Sequence, residues 1–279
     1  MSLFVAARPY RSLFVSRFQL MLQYRGAALA GFVTQCWWGG LKVMVLAVFF
    51  TASTVGAPTP LTLSQAITYI WIAQAALALL PWMGDPDVAN AVRTGAVSYD
   101  RLRPLDFYLL WYSRAAGWIA ARAVPRAALL IAFAAVLMPL VGLKSWSWQP
   151  PSSIEAALMF VVSITFAVAL SAAMVMLINI GVVASLNHRG INALVGPPVI
   201  VFSGNLLPLS LFPDSVQTAL LLQPFAGLLD IPARIYFGTL QGSAAFAGLG
   251  LQLFWITALI LLGRWLMARC LRSLEVQGG

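Results

Sequence analysis

From Ala156 to Val183 the chain carries no charged residue. A helix needs about 20 apolar residues to cross a hydrocarbon core, so a run this long predicts a membrane span. Comparable runs recur along the sequence. They place spans at about 27–50, 61–83, 154–183, 191–207 and 244–267, with a further one that follows residue 107 and ends near Leu143. With 61% hydrophobic and 9% charged residues, against about 25% charged in soluble domains, too little polar surface remains to cover a water-soluble globule. The expectation is an all-α integral membrane protein of six transmembrane helices, forming one domain over residues 1–279.

The basic residues set the orientation. Arg8, Arg11, Arg17 and Arg25 precede the first span. Arg93, Arg101, Arg103, Arg114, Arg122 and Arg126 lie between the second span and the body of the third. Arg189 follows the fourth, and Arg264, Arg269 and Arg272 end the sixth. Lys144 and Arg234 fall on the opposite side, and Lys42 falls within a span. Basic segments stay cytoplasmic during insertion, which predicts both termini inside, as in a multi-pass protein of a cytoplasmic membrane; the bias of Arg over Lys and the abundant Ala suit a bacterial source. The net charge of +9 is explained by this topology. It calls for anionic lipid headgroups as counter-charge and for no nucleic acid. Cys36 and Cys270 fall in a span and on the inner side, so no disulfide is expected. Arg8, Arg11 and Arg17 break the N-terminal apolar stretch too early for a cleaved signal peptide.

Between the spans, the segments have distinct character. Residues 1–25 alternate basic and apolar positions, as expected of an amphipathic helix lying at the interface. In 84–106, Asp85-Pro86 starts a short helix with Asp as cap and Pro in the first turn, and Gly95 is placed to end it. Arg101-Leu102-Arg103-Pro104-Leu105-Asp106 is charged and broken by proline. Arg114, Arg122 and Arg126 are spaced to share one face of the helix that follows, so that stretch should skim the inner interface before it enters the membrane. Ser152-Ser153-Ile154-Glu155 has the spacing of a capping box with Ser152 at the cap. Residues 208–242, apolar but punctuated by Pro and Gly, are expected to dip into the outer leaflet as short re-entrant helices.

Several chemistries lack their residues. A phosphate-binding loop needs a lysine after glycines, and Lys42 and Lys144 follow leucines; no nucleotide hydrolysis and no cofactor are expected on this chain. One His and two distant Cys make no metal cluster, and His188 reads as a turn residue. Proton- or sodium-driven carriers place carboxylates near the midplane, which argues against a secondary carrier, and the lack of clustered His, Asp or Glu argues against an enzyme acting on lipid. Lys42 stands out as the ionisable group within a span, either paired inside the bundle or lining a path. Trp37 and Trp38 lie deep, whereas Trp71, Trp82, Trp111, Trp118, Trp146, Trp148 and Trp265 sit where belt anchors belong. Asp230 and Arg234 have the spacing of a helix-surface pair.

Two stretches carry a family resemblance. Gly95-Ala96-Val97-Ser98-Tyr99-Asp100-Arg101-Leu102-Arg103-Pro104-Leu105, and Ser203-Gly204-Asn205-Leu206-Leu207-Pro208-Leu209-Ser210-Leu211-Phe212-Pro213 continuing to Gln223-Pro224-Phe225, resemble the permease subunits of ABC-2 type exporters. The closest likeness is to the group in which two related permeases work with a separate ATPase. The resemblance implies a transport subunit without a catalytic site of its own. It would form half of a pathway for a hydrophobic or amphipathic substrate, and ATP and Mg would be held by a pair of partner ATPase subunits. A second permease, related or identical, would complete the pathway. The 84–106 segment would be the coupling element, with Asp85, Asp87, Arg93, Tyr99, Asp100, Arg101 and Arg103 as its contact residues. The first, second and fifth spans would line the route, with Trp37, Trp38, Lys42, Phe202 and Asn205 along it.

Overall fold

The computed structural model describes residues 3–52 and 61–273. The loop expected over 51–60 lies mostly outside the described residues, as do the last six positions. Among the described residues the chain is helical throughout, with no strand. Eleven helices matter here: α1 (Leu3–Leu22), α2 (Arg25–Ala52), α3 (Leu63–Ala76), α4 (Pro86–Arg93), α5 (Val97–Arg101), α6 (Phe107–Leu140), α7 (Ile154–Ser185), α8 (His188–Phe202), α9 (Asp214–Leu222), α10 (Asp230–Tyr236) and α11 (Gly242–Ser273).

Four of these, α2, α6, α7 and α11, are long and apolar enough to cross a membrane, which makes this an all-α membrane protein. The 34 residues of α6 span about 51 Å at 1.5 Å per residue, well over the ~30 Å of a hydrocarbon core. Near its far end Pro139 can donate no N–H, and the helix widens into a π turn over Phe133–Leu137, with Met138 N bonded to Phe133 O.

The expected second and fifth spans differ from this. Their helices, α3 and α8, have 14 and 15 residues, or about 21–22 Å, and fall below the length of a crossing by helix alone. Both are continued by irregular chain, Leu77–Gly84 after α3 and Ser203–Pro208 after α8. Backbone without helical bonds is tolerated at such depth only when protein surrounds it, and that condition is met. Ten of the α3 residues are buried, Ser171 Oγ donates to the freed Leu79 carbonyl, and Trp82 Nε1 donates to Leu77 O at 2.8 Å. After α8, Gly204 turns the chain with φ +86°, while Tyr69 Oη donates to Gly204 O and Asn205 Nδ2 to Ala73 O, each at 2.9 Å.

The centre of the bundle is α7, whose expected cap moves by one residue: Ser153, not Ser152, accepts from Ala156 N at 3.0 Å. Its buried Ala167, Ala172 and Ala173 let α6 and α11 pack closely on either side. Gln252 of α11 is fully buried against α7, accepting from Ser163 Oγ at 2.9 Å and donating to Gly227 O at 2.7 Å. The N-terminal helix α1 lies along α6, so close that a side chain at Gly117 would strike Phe14 O. One end of the bundle gathers α1, α4, α5 and the arginine-bearing termini of α6 and α11. The other gathers α9, α10 and the Trp146–Ser153 loop.

Four residue assignments change with the structure. Trp71 and Trp111 are not belt anchors but core, 0% and 2% exposed, because each indole N–H has an internal acceptor: Trp146 O at 2.8 Å and Asp100 Oδ2 at 3.1 Å. Trp118 is buried as well. Asp230 is not on a helix surface either. It is fully buried, where Oδ1 accepts from Leu209 N at 3.2 Å and so ties the chain after α8 to α10, with Arg234 at 3.9 Å from Oδ2.

Candidate functional site

At the basic end, α4 and α5 are held by an ion-pair network that crosses four segments. Asp85 caps α4 through Asp87 N at 2.9 Å, with Pro86 opening the first turn. Its own N–H donates to Asn179 Oδ1 of α7 at 2.8 Å, and Gly84 N donates to Asn192 Oδ1 of α8 at 3.1 Å. The start of α4 is thereby pinned to both α7 and α8. Arg17 of α1 reaches Asp85 Oδ1 at 3.2 Å and Asp87 Oδ2 at 2.5 Å. Arg114 of α6 stands between Asp100 Oδ2 at 3.4 Å and Asp87 Oδ2 at 3.9 Å, and Arg103 closes on Asp100 Oδ1 at 3.5 Å. Asp106 caps α6 through Leu109 N at 2.8 Å, receives Arg264 of α11 at 2.6 Å, and has its N–H bonded to Tyr10 Oη of α1 at 3.0 Å.

Asp85 is only 2% exposed. Burial pushes its carboxyl above the usual carboxylate range, and the Arg17 guanidinium and the Asp87 N–H pull it only part of the way back. An ion pair of this kind stabilises little in itself and fixes geometry.

The seven residues expected on this segment therefore divide. Asp85, Asp87, Asp100 and Arg103 belong to the network that fastens it to the bundle. Tyr99 is turned outward, 72% exposed, and so is its neighbour Leu102, 80% exposed, which sequence reasoning did not single out. Arg93 is also outward, with its guanidinium bonded to Asn90 Oδ1 at 2.8 Å. The side chain of Arg101 lies outside the described residues. The fastening partners Arg17, Arg114 and Asn179 were missed because they lie far away in sequence, and no local pattern marks them.

Toward the far end, α2, α3 and the chain after α8 enclose a cavity of about 800 Å³. Three of the five expected path residues line it: Trp38, Lys42 and Asn205. Trp37, one position along α2, points elsewhere and is 69% exposed. Phe202 stays outside too, its ring tilted against Phe225 at 6.3 Å. The remaining walls are mostly apolar, among them Val45, Phe50, Ile70 and Leu211, with the Tyr69 ring at the back. Lys42 Nζ donates to Asn205 O at 3.1 Å, and no carboxylate pairs with it among the described residues. Trp38, Val45 and Leu206 on the rim are exposed, so the cavity opens sideways from the bundle. It can hold an apolar body of moderate size with one polar contact. Among the described residues no three His, Cys, Asp or Glu side chains cluster to hold a metal. No protein-family model, curated protein or solved structure matches this chain.

Proposed function

We propose that the chain is the permease subunit of an ATP-driven exporter of the ABC-2 type, forming half of a translocation pathway for a hydrophobic or amphipathic substrate and worked by a separate pair of ATPase subunits. A second permease completes the pathway. Six crossings of a cytoplasmic membrane, with both termini inside, fit this reading. The segment 61–85 begins beside the Trp146–Ser153 loop at one end, through Gln149 N donating to Thr68 Oγ1, and finishes against Asn179 toward the other. The segment 188–213 starts from that second end, and its continuation beyond Gly204 leads back to α9.

The observation that carries the proposal is the build of α4 and α5. Three carboxylates, Asp85, Asp87 and Asp100, fasten a short element to α1 and α6, and the Asp85 N–H ties it to α7, while Tyr99 and Leu102 stand exposed beside arginines. Apolar and aromatic side chains held rigidly outward are what a protein contact needs, and a fastened element transmits the force of that contact to the spans. The cavity beside α2 and α3 would receive the cargo, with Lys42 and Asn205 as its polar contacts.

The test is co-purification of the tagged chain, expressed in mild detergent with ATP-binding subunits encoded beside it, followed by an ATPase assay. The reading expects an ATPase to co-elute, and it expects the Y99A/L102A double variant to lose it while unfolding at the wild-type temperature. A chain that elutes alone and stable whichever ATPase is offered overturns the reading.

A further inference from the structure

We infer that the crevice between α1, α2 and α6 at the basic end is a binding site for a phosphate group, carried by an anionic phospholipid headgroup or by free phosphate. The crevice has a volume of about 330 Å³, and its walls include Arg17, Tyr24, Asp87, Trp118, Arg122 and Arg126. Of its three guanidinium groups, that of Arg17 is neutralised by Asp85 and Asp87. Among the described residues, no carboxylate pairs with Arg122 or Arg126. Asp87, the one acid in the wall, is already held by Arg17 at 2.5 Å and approached by Arg114 at 3.9 Å.

The two unpaired arginines are one turn apart on α6, where like charges repel, yet both are kept at the crevice. Arg122 stacks its guanidinium 4.5 Å over the Trp118 ring, which fixes the plane of its N–H fork. Arg126 lies against α2, its Nε and Cζ 2.7 Å from where a Cβ at Gly31 would stand. One of its amino groups donates to Ala27 O at 3.2 Å, while its Nε is buried with no partner. Buried charged donors without acceptors are destabilising. A planar fork with free N–H groups matches phosphate oxygens two at a time. Basic pockets between membrane helices at this level are suited to anionic headgroups. The inference needs only the membrane character of the chain and stands independently of the exporter reading.

The experiment is native mass spectrometry of the full chain in a phosphorus-free detergent, titrated with phosphatidylglycerol and, separately, with inorganic phosphate as competitor. The wild type should hold one phosphatidylglycerol per chain. R122Q/R126Q should bind it at least about tenfold more weakly, in keeping with the loss of charge-assisted hydrogen bonds. R269Q is the control. It removes an arginine that also stacks on a tryptophan, 4.1 Å over Trp265, but on α11, and it should bind within about twofold of wild type. R122K/R126K keeps the charge and loses the fork; it should fall between, and it carries the test should the glutamine variant not fold. Displacement by millimolar phosphate would identify the free anion as a ligand of the same arginines, whereas its failure to compete would identify the headgroup alone. Wild-type binding in both double variants, or an equal loss in R269Q, overturns the site.

Discussion

Asp85 offers a sharp test of how the basic end is held together, because replacing it by Asn and by Ala should give different answers. Both hydrogen bonds that its side chain accepts, from Arg17 and from Asp87 N, fall on the same atom, Oδ1. An asparagine oxygen can occupy that position and keep both, so Asp85→Asn removes the charge and little else. Burial holds the carboxyl above its ordinary range against the attraction of Arg17, which means that ionising Asp85 in the folded state is less favourable than in the unfolded chain. Its charge is therefore a net cost at neutral pH. Asp85→Asn should change stability by no more than about 1 kcal/mol, the scale of an ordinary hydrogen-bond adjustment. Asp85→Ala loses the helix cap, worth about 1 kcal/mol, and a bond from a charged donor, worth about 1.5–3 kcal/mol. Arg17 keeps Asp87, which moderates the loss, so about 2–3 kcal/mol is expected.

The sign with pH follows from the same shift. A carboxyl whose folded pKa is raised contributes stability that is fully present below the unfolded value of about 3.9 and lost as pH rises through the folded one. Wild type should therefore lose stability relative to Asp85→Asn as pH climbs from about 4 toward neutrality. Thermal unfolding of the three proteins in one detergent, followed by tryptophan fluorescence across that range, measures both effects. Asp85→Asn as unstable as Asp85→Ala, or a wild type that gains on Asp85→Asn with rising pH, would refute the argument. Either result would make the ion pair with Arg17 a source of stability and not of position.

Three further perturbations probe the rest of the molecule. Gly204→Ala puts a Cβ 2.5 Å from Tyr69 Oη at φ +86°, and should destabilise by about 1–3 kcal/mol in thermal unfolding, whereas Tyr69→Phe, losing one bond to Gly204 O, should cost about 1 kcal/mol. Gln252→Leu strands Ser163 Oγ and Gly227 O in the core and should cost about 2–3 kcal/mol by the same measurement. Lys42→Met replaces a half-buried ammonium that is bonded, among the described residues, to a backbone carbonyl with an apolar chain of similar length. It should leave the melting temperature unchanged or raised, while uptake of cargo into inverted vesicles containing the reconstituted exporter falls about tenfold, the effect of losing one charged contact.

What could be read from the sequence was what depends on nearest neighbours along it. The charge-free run of α7, the Asp85-Pro86 start of α4 and the turn at Gly95, which has φ +73°, are all local. What could not be read depends on groups brought together from far apart. Trp71 and Trp111 look like interface anchors until Trp146 O and Asp100 are seen beside them. Asp230 looks like one half of a surface pair until Leu209 N is seen to need an acceptor. The shortness of α3 and α8 has the same origin, since their irregular ends survive only because Ser171, Tyr69 and Asn205 supply bonds that lipid cannot. One local signal was present but unused: Thr62-Leu63-Ser64-Gln65 forms a full capping box, with Gln65 N donating to Thr62 Oγ1 at 3.3 Å and Thr62 N to Gln65 Oε1 at 2.9 Å. It marks the start of α3 in sequence alone.

The position of α3 bears on how the two ends could work together in the proposed exporter. Its first turns wall the far cavity, and Tyr69 and Ala73 hold the break at Gly204–Asn205 to which Lys42 is bonded. Its last turn runs through only eight residues, Leu77 to Gly84, to the cap of α4. Those eight are anchored on α7 by Ser171 and, at Asp85, by Asn179. A push on Tyr99 and Leu102 therefore has two outlets: the ion pairs give way and α4 swings free, or α4 carries α3 with it and the cavity wall moves against α2. The charged contacts of α4 and α5 with α1 and α6 weigh against the first. Of the helices packed on the buried α3, α2 has the long exposed outer face, which directs the second toward α2. Weakening the network, as in Asp85→Ala, should then lower transport more than it lowers ATP hydrolysis, because the contact with the ATPase survives while its lever does not.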